Sequence, residues 1–232
     1  MSIENLNEQA FFIQRPLGVI EVTGQTRLDL IDRMSTQKVR DLKAGEGAAT
    51  VLTTDIGRII DRLLVYADED KLFFLTGENN ADNIGRYFSR YIFFNDDFHM
   101  NDVSAETAVF AMYGGQAAAK LQPFDLPVDL PRHHWRAVTL GGLAATFHRT
   151  DPVAGEGYLL LTAADNARPL QELLTKAGLT PLDVAQFEQL RVESGLPLLG
   201  HELTADYIPL ETNLWDDVSF NKGCYIGQEI IA

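Results

Sequence analysis

The sequence predicts an α+β fold, and two observations predict it. Short apolar segments of strand length alternate with stretches whose apolar residues recur at helical spacing. Strand–helix units also return at a nearly constant offset, the mark of an internal repeat. Gly18-Val19-Ile20-Glu21-Val22-Thr23-Gly24 reads as a strand closed by glycine, and a helix with Leu28, Ile31 and Met34 on one face follows. Thr107-Ala108-Val109-Phe110-Ala111-Met112-Tyr113-Gly114 has the same form, followed by Ala117, Ala118 and Leu121. From Gly24 to Gly114 the offset is 114 − 24 = 90.

A second pair repeats at a similar distance. Lys71-Leu72-Phe73-Phe74-Leu75-Thr76-Gly77 precedes a helix through Ile84, Tyr87, Phe88 and Tyr91. Gly157-Tyr158-Leu159-Leu160-Leu161-Thr162-Ala163 precedes a helix through Leu170, Leu173 and Leu174, and Thr76 to Thr162 is 162 − 76 = 86. The reading is a duplicated α+β module of roughly ninety residues.

The remaining elements fall between these units. Gly47–Thr54 and Ile59–Tyr66 read as strands flanking the turn Asp55-Ile56-Gly57-Arg58. Ala137–Leu140 and Leu143–Phe147 flank Gly141-Gly142, a hairpin turn. Gln122–Pro131 holds three prolines and two aspartates and reads as an extended loop. Pro181-Leu182-Asp183 is expected to open a helix, with Val184, Phe187, Leu190 and Arg191 inward and an end near Gly195.

Composition bounds the function. Thirty-three acidic against nineteen basic side chains give a net charge of −14. That opposes non-specific nucleic-acid binding, which relies on neutralising phosphates. The single cysteine excludes an internal disulfide and fits a reducing compartment. The opening Met1–Glu8 is polar and acidic, unlike a secretory signal. No apolar run approaches the roughly 18 residues of a membrane span. The expectation is a cytoplasmic protein without membrane or direct nucleic-acid contact.

Motif searches remove several chemistries. Gly45-Glu46-Gly47 and Gly155-Glu156-Gly157 begin like dinucleotide fingerprints, but positions 50 and 160 are Thr and Leu. Among His99, His133, His134, His148 and His201 no pair has the i, i+4 spacing of a zinc site on a helix, so no metal is expected. No nucleophile elbow occurs.

Two positions attract chemistry. Cys224 lies in Lys222-Gly223-Cys224-Tyr225-Ile226-Gly227-Gln228-Glu229, between two glycines. A free cysteine often only fills core space. The functional reading makes Cys224 a reactive thiol, with Lys222 favouring its thiolate. Glu193 sits at the end of the Pro181 helix, where the macrodipole disfavours a carboxylate. Either Arg191 or solvent satisfies it, or it binds a ligand. The two coplanar oxygens of a carboxylate match the adjacent N–H and NH2 donors of a pterin ring. Arg132-His133-His134-Trp135-Arg136, or Lys222 with Arg191, could supply cations for an anionic ligand.

The octapeptide around Cys224 resembles the signature of the YgfZ family of folate-binding proteins, relatives of the glycine-cleavage aminomethyltransferases (GcvT). Leu190–Pro197, Gly200–Leu203 and Ile208–Leu214 are similar to the segment leading into that signature. Val22–Gly24, Met34–Val39 and Gly57–Leu63 are similar to the family's first half, and Arg149-Thr150 with Gly155–Tyr158 to an aminomethyltransferase stretch. The resemblance implies a duplicated folate-binding domain over 1–232. Its two α+β subdomains would span about 1–104 and 105–180, with a segment 181–232 carrying the pterin-site and cysteine motifs. It implies tetrahydrofolate as cofactor, Glu193 on the pterin, and Arg191 and Asn83 nearby. It further implies support of iron–sulfur cluster assembly or repair in client proteins, including enzymes that modify tRNA. The family's C-terminal β-barrel is expected to be missing from this chain.

The alternative is one-carbon transfer by an aminomethyltransferase or demethylase. The best register puts Asn83 at that group's catalytic aspartate, with Asp82 one residue off. An amide cannot act as a general base.

Overall fold

The structure, a computed structural model, describes residues 8–231; all of the polar opening except Glu8 lies outside the described residues. In chain order the strands and helices are β1 Phe11–Arg15, β2 Leu17–Thr23, α1 Arg27–Met34, β3 Gly47–Thr53, β4 Ile59–Ala67, β5 Lys71–Glu78, α2 Ala81–Ser89, β6 His99–Asp102, β7 Thr107–Tyr113, α3 Ala117–Leu121, β8 Trp135–Leu140, β9 Leu143–Val153, β10 Glu156–Ala163, α4 Ala167–Lys176, β11 Thr180–Pro181, α5 Val184–Glu193 and α6 Gln228–Ile231. The expected loop Gln122–Pro131 begins with one 3-10 turn, Gln122–Phe124.

The chain forms two compact units, and neither is contiguous. One joins the residues up to Pro16 to Ala105–Leu196; the other joins Leu17–Ser104 to the residues from Pro197 onward. The break between Ser104 and Ala105 falls where the sequence predicts it; the units differ from that prediction in giving the first strand to the later unit and in breaking at 196/197, not 180/181. The cause is backbone pairing: β1 hydrogen-bonds antiparallel to β7 and parallel to β11, which draws the first strand into the later unit.

The unit containing β1 has a six-stranded sheet, ordered β11-β1-β7-β10-β9-β8. Its core joins Phe12, Phe110, Met112, Phe147, Tyr158 and Leu160 of the sheet to Leu121, Leu170 and Leu174 of the helices. Alternation explains which strand residues enter, since every second side chain faces the helices. Leu140 and Leu143 pair across the expected Gly141-Gly142 turn, and both glycines have positive φ, as a tight primed turn demands.

The other unit has a five-stranded antiparallel sheet, ordered β3-β4-β5-β2-β6. Ile20, Val22, Leu63, Val65, Leu72 and Phe74 of its strands meet Leu30, Ile31, Ile84 and Phe88 of its helices.

The two sheets share an order: β3-β4-β5-β2-β6 runs as β8-β9-β10-β7-β1 does. The glycines at the strand–helix junctions adopt one geometry. Gly24 has φ +105 and Gly114 φ +101, and a Cβ at either would meet a backbone carbonyl, Asp97 O at 2.1 Å or Gln9 O at 2.3 Å.

Helix α5 corrects two details. Pro181 does not open it; Pro181 pairs with Phe12 in β11, because a proline can occupy a sheet edge. Asp183 is the N-cap, in a capping box with Gln186: Asp183 Oδ1 accepts from Gln186 N at 2.8 Å and Gln186 Oε1 accepts from Asp183 N at 3.0 Å. Val184, expected inward, is 72% exposed, while Phe187, Leu190 and Arg191 are buried.

Candidate functional site

Cys224 is exposed on the loop that leads into α6. Its neighbours fix that loop. Ile226 N donates to Arg33 O at 3.3 Å, and Ile226 O accepts from Thr53 Oγ1 at 2.8 Å. Gly227 has φ +84, and a Cβ there would lie 2.6 Å from Thr54 O, so only glycine fits. Upstream, Ser219 N donates to Thr36 O at 3.0 Å and Gln37 Nε2 donates to Asp216 O at 2.6 Å.

Lys222, expected to favour the Cys224 thiolate, is directed elsewhere. Its Nζ donates to Asp32 O at 2.6 Å, Gln37 O at 2.8 Å and Ser35 O at 2.9 Å, and lies 3.4 Å from Asp32 Oδ1. An ammonium has three donors, and these three carbonyls use them. They sit at and just beyond the C-terminal end of α1, where the helix dipole favours a cation. The side chain is 1% exposed, and burial pushes its pKa down to about 8, against the pull of the Asp32 carboxylate. Asp32 also accepts from Val39 N and Arg40 N, so it organises the turn after α1.

Glu193 ends α5 with its side chain exposed, and its Oε1 accepts from Gln189 Nε2 at 3.0 Å. Arg191, one of the partners considered for it and one of the residues expected at the ligand, is buried. Its guanidinium forks onto Glu188 at 2.7 and 3.0 Å and reaches Leu196 O at 3.3 Å. The i, i+3 spacing of Glu188 and Arg191 puts them on one helix face, whereas Arg191 and Glu193 diverge.

Asn83 lies exposed in the first turn of α2, within a directed chain of hydrogen bonds. Arg86 Nη2 donates to Asn83 Oδ1 at 2.6 Å, Asn83 Nδ2 to Asn80 Oδ1 at 2.8 Å, and Asn80 Nδ2 to Asp61 Oδ2 at 2.8 Å. The chain ends on a carboxylate that sequence reasoning did not single out. Asp61 is fully buried in β4 and also accepts from Gly77 N and Arg62 N, each at 2.8 Å. Burial raises its pKa to about 6, and those hydrogen bonds hold it from going higher. Strand parity carried the signal: Ile59, Asp61, Leu63 and Val65 share the buried face.

Arg62, next along β4, pairs with Asp217 at 2.5 Å, and the two side chains are 10% and 3% exposed. The backbone carbonyl of Asp217 accepts from Thr36 Oγ1 at 2.6 Å. The expected cationic stretch also has partners. Arg132 Nε lies 3.5 Å and His133 Nε2 3.8 Å from Asp151 Oδ1, and Arg136 Nη1 donates to Trp135 O at 2.6 Å. Among the described residues no group of three or more His, Cys, Asp or Glu is arranged to hold a metal ion. No helix among them is long and apolar enough to cross a membrane.

Comparison with known proteins gives a consistent result. The protein Putative transferase At1g60990, chloroplastic, of Arabidopsis thaliana is 29% identical over 218 residues, covering 93% of this chain and 50% of its own length. An aminomethyltransferase of Cutibacterium acnes is 31% identical over 228 residues, covering 91% of this chain and 61% of its own. The chain thus spans about half to three fifths of these relatives. The crystal structure of glycine cleavage system aminomethyltransferase T from Bartonella henselae superposes with a TM-score of 0.85 over 99% of this chain and 64% of that one, at 19% identity. That likeness establishes an aminomethyltransferase-like α+β fold. The GCVT N-terminal domain model matches residues 7–222, nearly the whole chain, and the protein belongs to that family.

Proposed function

We propose that this protein is a tetrahydrofolate-binding module of the aminomethyltransferase type. Glu193 carries the proposal: it is a carboxylate left in solvent at a helix end that disfavours it, within the Leu190–Pro197 segment. Its planar pair of acceptors suits the adjacent donors of a pterin. Arg191 supports it indirectly, since its bond to Leu196 O fixes the chain just after α5. Asn83, polarised by Arg86, offers an amide to the same ligand class. Bound folate would supply a carrier for a one-carbon unit.

One-carbon transfer is the use of folate that the relatives favour, since most of those compared are named aminomethyltransferases. A second reading rests on Cys224. Its exposure on a loop anchored at both flanks suits a thiol that meets another molecule, as in the YgfZ-type role in iron–sulfur cluster assembly or repair for client enzymes, including those that modify tRNA. A reducing, cytoplasmic setting goes with that role.

Anaerobic calorimetric titration with tetrahydrofolate tests the common core. Glu193→Ala is expected to weaken binding at least about tenfold, roughly 1.4 kcal/mol. Absence of binding by the unmutated protein would overturn the folate reading. Turnover of an aminomethyl or methyl donor, unaffected by Cys224→Ala, would select one-carbon transfer over the thiol role.

A further inference from the structure

We infer that Lys222 is a positioning residue: its ammonium latches the Cys224 loop onto the end of α1, and its hydrogens go to backbone carbonyls there and not to the thiol. The inference rests on the reading of Cys224 as a functional thiol only for its biological use; the latch itself stands on geometry.

The polar contacts around the loop are unusually directed. Two residues before Cys224, Lys222 Nζ holds Asp32 O, Ser35 O and Gln37 O. Two residues after it, Ile226 bridges Arg33 O and Thr53 Oγ1. Cys224 therefore sits at the middle of a five-residue arc pinned at both ends. Apolar packing holds the same stretch: Ile226 packs against the core of its unit, and Val218, Tyr225 and Ile231 form a small cluster with Leu210 alongside. The Lys222 ammonium also lies 5.3 Å from the Tyr225 ring centroid, so the latch grips the residue next to the thiol. The charged groups facing it are Asp32 and, through Asp32, Arg40, whose Nε is 3.7 Å from Asp32 Oδ2. An ammonium with its three hydrogens on carbonyls has none left to donate to a thiolate.

The geometry also separates the roles of the two flanking glycines. Gly227 is required by its backbone and by Thr54 O, whereas a Cβ at Gly223 would meet nothing within 4 Å. Gly223 thus leaves open space beside Cys224 for an approaching molecule.

Hydrogen exchange of the full chain, read peptide by peptide, tests the latch. Lys222→Met is expected to raise exchange over residues 219–227 at least tenfold while β5 keeps its protection. Lys222→Arg, which retains charge and donors, is expected to keep most of the loop's protection. Unchanged loop exchange in Lys222→Met would overturn the latch. So would an equal rise throughout the unit, or a loop in Lys222→Arg as exposed as in Lys222→Met. Should Lys222→Met not fold, Thr53→Val removes the bond on the other side of Cys224 and is expected to raise exchange over the same peptide; no rise there would sink the pinned arc. These readouts do not depend on folate binding or on Cys224 being functional, so their failure is distinct from failure of the proposed function.

Discussion

Arg62 and Asp217, 155 positions apart in sequence, form a nearly buried ion pair that ties β4 to the segment preceding Cys224. Such a pair adds little net stability over an apolar replacement, but removing one partner leaves a buried charge uncompensated. Asp217→Ala is therefore expected to lower the unfolding free energy by about 3–5 kcal/mol in urea titration. Replacing both residues, Arg62→Met with Asp217→Leu, is expected to recover most of that loss. A double variant as unstable as the single one would show that the pair is not the cause.

Asp61 makes stability depend on pH in an uncommon direction. Its folded pKa, about 6, lies above the ordinary 3.8. The folded state therefore binds a proton more tightly than the unfolded state does. The associated stability is fully present below about pH 3.8 and is lost as pH rises through about 6. A shift of roughly two units corresponds to about 3 kcal/mol. The stability difference between wild type and Asp61→Asn should change by about that amount between pH 4 and pH 7, in favour of the wild type at the acid end. A difference that stays flat over the interval would contradict the assignment.

Gly24 and Gly114 should be equally intolerant of alanine. Each combines a positive φ with a carbonyl little more than 2 Å from the site of a Cβ. A left-handed alanine alone costs roughly 1–2 kcal/mol, and relief of the clash requires moving backbone. Either alanine variant is expected to lose more than about 2 kcal/mol. Gly85, where a Cβ meets nothing within 4 Å, is the control. As Gly85 lies inside α2, Gly85→Ala should gain up to about 1 kcal/mol.

The cap of α5 is open to a milder test. Asp183→Ala removes the acceptor for Gln186 N and should cost about 1 kcal/mol, whereas Asp183→Asn keeps an acceptor and should cost only a few tenths. Because Glu193 ends the same helix, calorimetry of Asp183→Ala with tetrahydrofolate also asks whether fraying at one end of α5 reaches the other. Unequal losses for Ala and Asn are expected; equal losses would assign the effect to something other than the cap.

Much of this fold was legible in the sequence because strand alternation and helical spacing are local properties. Val22, Leu72 and Phe110 could be placed in strands, and Ile84, Phe88 and Leu170 on helix faces, from their neighbours alone. Pairing over long distances was not legible. Nothing near Phe12 announces that its strand lies beside Ala111 and Pro181, so the first strand was assigned to the wrong half, although the break after Ser104 was found. Among the candidate residues, Cys224 and Glu193 were visible as unusual residues in unusual places. The destinations of Lys222 and Arg191 were not, because a long cationic side chain can reach several acceptors and only the folded backbone selects among them. Asp61 could have been found by asking which face of its strand it shares with Leu63 and Val65.

The placement of β1 bears on how the chain is made. Phe11–Arg15 pairs with residues 109–113, about one hundred positions downstream. At a synthesis rate of about 5–20 residues per second, the first strand waits on the order of 5–20 s before its partner leaves the ribosome. During that interval Phe11, Phe12 and Ile13, all buried in the finished sheet, have no native strand to join. The intervening hairpins of β3, β4 and β5 are made of near neighbours and can close meanwhile. Newly made protein would thus carry an unpaired apolar strand beside already ordered hairpins, a segment open to non-native pairing until residues 109–113 emerge.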